Sequence, residues 1–221
     1  MSADNVPRVS FATGGLLQNS PIVCGGYDVI YMGFSPPNVF NISQDCVVIG
    51  QPEMEMKMIE KRQGIASVAL DQSTLWIVGG WNGRIVNNAI HSSTEFIKLG
   101  QPSVKGPDLP FRIYGHSMIQ YDEKSIYIIG GRQNHSIWSN GTRIVDPTNQ
   151  FRITESPSLN RGRKLHGCAK MTINGRTILV VAGGSGNSGI LDSVEILDPS
   201  ENNIWTQGMF LKFITVELCL I

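Results

Sequence analysis

A pair of adjacent glycines occurs four times, as Gly25-Gly26, Gly79-Gly80, Gly130-Gly131 and Gly183-Gly184, at spacings of 54, 51 and 53 residues. Each pair closes an apolar run: Ile22-Val23-Cys24, Trp76-Ile77-Val78, Tyr127-Ile128-Ile129 and Val180-Val181-Ala182. A short strand of β-preferring residues that ends in two residues without Cβ lets the backbone turn through positive φ and lets a neighbouring segment come close. A period of about 50 residues marks an array of supersecondary units. The chain is therefore expected to be all-β.

The third repeat shows the unit most clearly. Gly115 to Tyr121 reads as a first strand, Asp122-Glu123-Lys124 as a hairpin, and Ser125 to Ile129 as a second strand ending at the glycine pair. Thr142 to Val145 is a third strand closed by Asp146-Pro147, where Asp caps a turn and Pro fixes φ, and Gln150 to Thr154 is a fourth. The fourth repeat keeps the order: His166 to Met171, a hairpin at Asn174-Gly175, Thr177 to Gly184, then Ser193-Val194-Glu195-Ile196-Leu197-Asp198-Pro199 and Trp205. The second repeat supplies Gly64 to Leu70, Leu75 to Gly80 and Ser93 to Ile97, without the Asp-Pro. The first is the most degenerate, keeping the strand before Gly25-Gly26 and another around Cys46. Gly14-Gly15 falls outside the period and reads as a turn.

Histidine, apolar strand, Gly-Gly, variable loop, Ser-Val-Glu-Ile-Leu-Asp-Pro and then Trp is a sequence of features that resembles kelch-repeat proteins, over roughly residues 8 to 207. The resemblance implies a kelch-type β-propeller with blades at about 8–58, 59–109, 110–157 and 158–207, followed by an apolar tail at 208–221. It also implies that Gly25, Gly26, Gly79, Gly80, Gly130, Gly131, Gly183, Gly184, His116, His166 and Trp205 are structural, packing between blades. Kelch propellers usually close with more blades than the four present, so an open or incomplete propeller is expected.

With 41% hydrophobic and 16% charged residues the chain is apolar enough for one large β domain. Lys+Arg 18 against Asp+Glu 18 leaves no net field to favour nucleic acid or an anionic membrane. The N-terminus shows neither a basic region nor an apolar core of a secretory signal, so as written the chain reads as cytoplasmic, and as extracellular if the N-terminus is incomplete. Four cysteines have no metal-ligand spacing. Cys24 and Cys46 fall on two strands of the first repeat, either as buried thiols or as a disulfide that would imply an oxidising compartment. Sequons at Asn41, Asn134 and Asn140 occur at about the number chance supplies and decide nothing.

No catalytic motif of the nucleophile-elbow, phosphate-loop or HExxH kind is present. His91 and His135 fall near loops without partners of ligand type, so neither a metal nor a cofactor is expected. The kelch resemblance also implies a possible oxidase of the galactose oxidase kind or a sugar epimerase; Cys168 beside His166 is the one pairing that such an oxidase would use, and its place in a repeated strand argues for packing. What remains is surface. Loops that follow the second strand carry Trp81, Arg84, Arg132 and Trp138, and the segments ahead of the first strand carry Arg62, Arg112, Tyr114, Arg161 and Arg163. Trp, Tyr and Arg are the residue types enriched at binding hot spots, and arginine recurring in successive blades would ring one rim with guanidinium groups suited to carboxylates. The expected function is a non-catalytic protein-interaction module for a protein or peptide partner of acidic character. An extracellular, disulfide-bearing binding or adhesion propeller is the alternative.

Overall fold

In the computed structural model the described residues are 10–30, 39–84, 89–134, 136–201 and 203–208, so His135, Ile85 to Asn88 and all of the apolar tail except Gly208 lie outside them. The chain divides into two compact units, Met1–Pro110 and Phe111–Ile221. The described residues contain strands and no helix.

In unit 1 the strands are β1 (Thr13–Leu17), β2 (Ser20–Cys24), β3 (Tyr27–Ile30), β4 (Val39–Ile42), β5 (Asp45–Val48), β6 (Gln51–Lys57), β7 (Ala66–Ala69), β8 (Thr74–Val78), β9 (Thr94–Lys98) and β10 (Val104–Lys105). They form two four-stranded antiparallel sheets, ordered β1-β2-β5-β6 and β7-β8-β9-β10, with β3 and β4 paired as a separate hairpin between β2 and β5. Unit 2 repeats the plan with β11 (Ser117–Asp122), β12 (Ser125–Ile129), β13 (Thr142–Asp146), β14 (Arg152–Ser156), β15 (Gly167–Ile173), β16 (Arg176–Ala182), β17 (Ser185–Gly186), β18 (Gly189–Ile190), β19 (Val194–Leu197) and β20 (Thr206–Gln207). Its sheets run β11-β12-β13-β14 and β15-β16-β19-β20. Each repeat has thus become one meander of four strands, the blade of a propeller.

The turns follow from local chemistry. Asn174 and Gly175, at φ 53° and 79°, make the hairpin between β15 and β16. After β13 the Asp146 carboxylate accepts the Thr148 N–H at 2.9 Å, and after β19 Asp198 accepts the Ser200 N–H at 2.9 Å. These Asx turns are the structural content of the repeated Asp-Pro. Gly14-Gly15 is not a turn: both lie inside β1, opposite Val23 and Ile22, where a Cβ on Gly14 would meet the Ile22 carbonyl and one on Gly15 the Leu75 side chain.

Within each unit the core lies between the two sheets. In unit 1, Leu17, Ile22, Cys24, Cys46, Val48 and Met56 of the first sheet pack on Ile65, Leu75, Ile77 and Ile97. In unit 2, Ile119, Tyr127 and Ile129 of the third sheet pack on Leu179, Val181, Leu197 and Trp205 of the fourth, with Leu159 between. Truncating one such buried aliphatic to alanine costs about 2–5 kcal/mol.

Candidate functional site

Both members of a glycine pair are explained by the segment that leads into a first strand. The Gly26 N–H donates to the Arg62 carbonyl at 3.0 Å, and the Gly131 N–H donates to the Arg163 carbonyl at 2.7 Å, so the chain entering the second and the fourth sheet crosses over the pair of the sheet before it. A Cβ on Gly130, at φ +63°, would stand 2.7 Å from the Arg163 carbonyl oxygen. A Cβ on Gly131 would stand 2.8 Å from the His116 Cβ of its own sheet. The first glycine clears the following sheet and the second clears its own.

These crossing segments overturn part of the expected arginine rim. Arg62 and Arg163 are fully buried. Arg163 Nη1 donates to the Gly183 and Ser193 carbonyls at 2.8 and 3.0 Å, and its Nη2 reaches Ser193 Oγ at 3.0 Å and Glu195 Oε1 at 2.7 Å. Arg62 repeats every contact, with Gly79 at 2.7 Å, Ser93 O at 3.0 Å, Ser93 Oγ at 3.0 Å and Glu95 at 2.8 Å, and adds Glu60 at 2.8 Å. Burial pushes the Arg62 guanidinium down from its usual value, opposed by Glu95 and Glu60. The carboxylates are used a second time: Glu195 accepts from the backbone N–H groups of Asn160 and Arg161, and Glu95 from those of Ile59 and Glu60. Both arginines are therefore internal staples that fasten a crossing segment to the sheet it enters, and neither faces a ligand. Arg112 does not belong to this series. The positive-φ residues Gly64, Gly115 and Leu165 mark equivalent positions, which aligns Arg62 and Arg163 with buried Ile113 and leaves Arg112 one residue earlier and exposed.

The remaining candidates separate by unit. In unit 1, Trp81 Nε1 donates to the Arg84 carbonyl at 2.9 Å, folding the start of its loop back on itself, with Arg84 exposed. In unit 2, Tyr114, Arg132 and Trp138 come together through the isolated bridges Tyr114–Arg132 and Arg132–Trp138. The Arg132 guanidinium carbon lies 4.3 Å from the centre of the Trp138 ring, its Nη1 is 3.4 Å from the Tyr114 hydroxyl, and Lys164 Nζ lies 5.3 Å from the centre of the Tyr114 ring. Lys164 was not among the sequence candidates. The signal for it was its place two residues before His166, equivalent to Tyr114 before His116. Arg161 is exposed and takes part through its backbone, on Glu195. Among the described residues neither Arg132 nor Lys164 has a carboxylate partner, and Arg132 Nε and Trp138 Nε1 are buried donors without an acceptor.

A family model described as the kelch motif matches residues 166–209. The solved structure of YjhT is similar over 92% of this chain and 71% of its own, with a TM-score of 0.70 at 12% sequence identity. No curated protein matches the chain. The chain has the kelch-type β-propeller fold.

The two repeated histidines are packing groups. His166 Nε2 lies 2.7 Å from Ser117 Oγ of the third blade, and neither ring nitrogen of His116 has a partner among the described residues. Burial pushes both rings down to about 3, helped at His166 by the positive Arg163, so both are neutral. The kelch tryptophan, Trp205, is buried in the unit 2 core. Cys168 touches the Met118 carbonyl through Sγ at 3.7 Å, and burial pushes its thiol up to about 11, which leaves it unreactive. Among the described residues no three His, Cys, Asp or Glu side chains gather as a metal site, and His91 is turned to Glu60 at 3.1 Å. Cys24 and Cys46 face each other across β2 and β5 at a Cα separation of 4.0 Å and form a disulfide, which replaces the free-thiol reading.

Proposed function

We propose that this kelch propeller is a non-catalytic interaction module whose contact site is the cluster Tyr114, Arg132, Trp138 and Lys164, and that it takes a carboxylate group from an acidic protein or peptide. The observation that carries this reading is the set of donors left over among the described residues: two cations seated on aromatic rings, without a described acid to neutralise them, next to two buried N–H groups without acceptors. Aromatic faces hold the cations in place, which lowers the ordering penalty when a carboxylate arrives. Exposed Ile137 beside Trp138 offers an apolar contact next to the charge. The test is selection from a displayed peptide library. Enriched peptides should carry Asp, Glu or a free C-terminus, and Arg132→Glu with Lys164→Glu should weaken them at least tenfold, while Lys105→Glu in unit 1 leaves them unchanged. Enrichment of neutral peptides, or binding indifferent to the two reversals, refutes the reading.

The Cys24–Cys46 disulfide favours a binding propeller that works in an oxidising compartment over a cytoplasmic one, since reducing compartments keep such thiols open. Counting thiols in the denatured protein from its native source tests this. Two of the four cysteines should resist alkylation until reductant is added. Four reactive thiols without reductant would reject it.

A further inference from the structure

Among the described residues, one face of the first sheet in unit 1 and one face of the fourth sheet in unit 2 carry exposed apolar side chains. In unit 1 the first sheet turns Leu17, Ile22, Cys24, Cys46 and Val48 to the second, while its opposite face carries Leu16, Val23, Val47 and Ile49, at 55%, 36%, 37% and 56% exposure. In unit 2 the fourth sheet turns Leu179, Val181 and Leu197 to the third. Its opposite face carries Met171 and Ile173, at 45% and 47% exposure, with Ile178, Val180, Val194 and Ile196 half-buried.

The repeat identifies what these faces are built to meet. Aligning Gly25 with Gly183, and Asp45 with Ser193 through the bonds Gly25 N–H to Asp45 O and Gly183 N–H to Ser193 O, places Val23 on Val181, Val47 on Glu195 and Ile49 on Leu197. Val181, Glu195 and Leu197 are 0%, 2% and 0% exposed. The open face of the first sheet is therefore the counterpart of the fourth-sheet face that a preceding sheet covers. The same alignment places Ile22, Cys24, Cys46 and Val48 on Val180, Ala182, Val194 and Ile196. The open face of the fourth sheet is the counterpart of the first-sheet face that a following sheet covers. The two open faces are the two halves of one blade-to-blade contact, already realised between the first and second sheets.

We propose that a second copy of this chain docks head to tail, the open face of its fourth sheet on the open face of the first sheet, in the register that the first and second sheets use. A second copy fits better than an unrelated protein because this polypeptide carries both halves, whereas a foreign surface would have to match one of them. Aliphatic side chains on both sides make the contact a core interface, and such a contact is heterologous, so one copy of the pair keeps its first-sheet face unused and the other its fourth-sheet face. The inference is independent of the rim cluster.

Sedimentation velocity on the full chain tests it. The wild type should associate with increasing concentration. Val47→Lys spoils only the first-sheet face and Val180→Lys only the fourth-sheet face. Each alone should be monomeric, with association weakened at least tenfold, whereas an equal mixture should form a one-to-one pair through the two intact faces. Met171→Lys, at an exposed position that cannot unfold the sheet, should reproduce Val180→Lys and pair with Val47→Lys. A monomeric wild type, single variants that still associate, or mixtures that fail to pair would each overturn the proposal.

Discussion

Acidification should destabilise this protein through two buried imidazoles, well above the pH at which carboxylates titrate. His116 and His166 are held neutral by burial, with values pushed down from 6.5 to about 3. In the unfolded chain both take up a proton near pH 6.5. The folded value is the lower one, so stability is complete above pH 6.5 and is lost as pH falls from there towards 3. Each fully burdened imidazole removes about 1.4 kcal/mol per pH unit, so at pH 5 each costs about 2 kcal/mol and the pair about 4 kcal/mol. That is a large part of a typical domain stability of about 5–15 kcal/mol. The perturbation is His116→Leu, since neither ring nitrogen has a hydrogen-bond partner among the described residues and an apolar side chain of similar size leaves no polar group orphaned. Urea unfolding at intervals between pH 6.0 and 5.0 should give a stability slope smaller than wild type by about 1.2 kcal/mol per pH unit. An unchanged slope would mean that His116 is protonated in the folded state, and the reasoning would fall.

Three further outcomes follow from the same packing. Arg163→Ile should cost about 3–5 kcal/mol by stranding the Glu195 charge in the interior, and Arg163→Ile with Glu195→Gln, which removes that charge and keeps an acceptor for the Asn160 and Arg161 N–H groups, should regain much of it, read by chemical denaturation; a double variant no better than the single would show that the staple is not a paired unit. Reducing Cys24–Cys46, which spans 22 residues, should lower stability by about 3 kcal/mol, and an unchanged midpoint with dithiothreitol would contradict this. Gly130→Ala should cost at least about 1–3 kcal/mol, because positive φ and the Arg163 carbonyl both oppose a Cβ, whereas Gly175→Ala, with nothing within 4 Å, suffers from φ alone.

The glycine pairs made the architecture legible because their requirement is local: all eight glycines have positive φ, which disfavours a side chain, so the signal survives in all four repeats. Arginine roles were not legible by position alone. Arg62, Arg112 and Arg163 stand at similar distances ahead of a strand, and a shift of one residue turns a side chain from the interior to solvent. The distinguishing signal lay in the partner strand. Ser93-Thr94-Glu95 and Ser193-Val194-Glu195 accompany the buried arginines, while the third repeat has Gly141-Thr142-Arg143 opposite Ile113. There Arg143 pairs with Glu155 at 3.0 Å and lies over the Phe111 ring at 4.1 Å. In the rim cluster, Tyr114, Arg132 and Trp138 were found by residue type, but their meeting with Lys164 depends on bridges between loops distant in sequence.

The account rests on the Arg62 and Arg163 crossing segments being bonded to the glycine pair of the sheet before them. Amide hydrogen exchange resolved at single residues tests this at Gly26 and Gly131, whose N–H groups donate to the Arg62 and Arg163 carbonyls. Both amides should be protected to the same degree as those of β2 and β12. Exchange at the rate of an open loop at either glycine would contradict the arrangement.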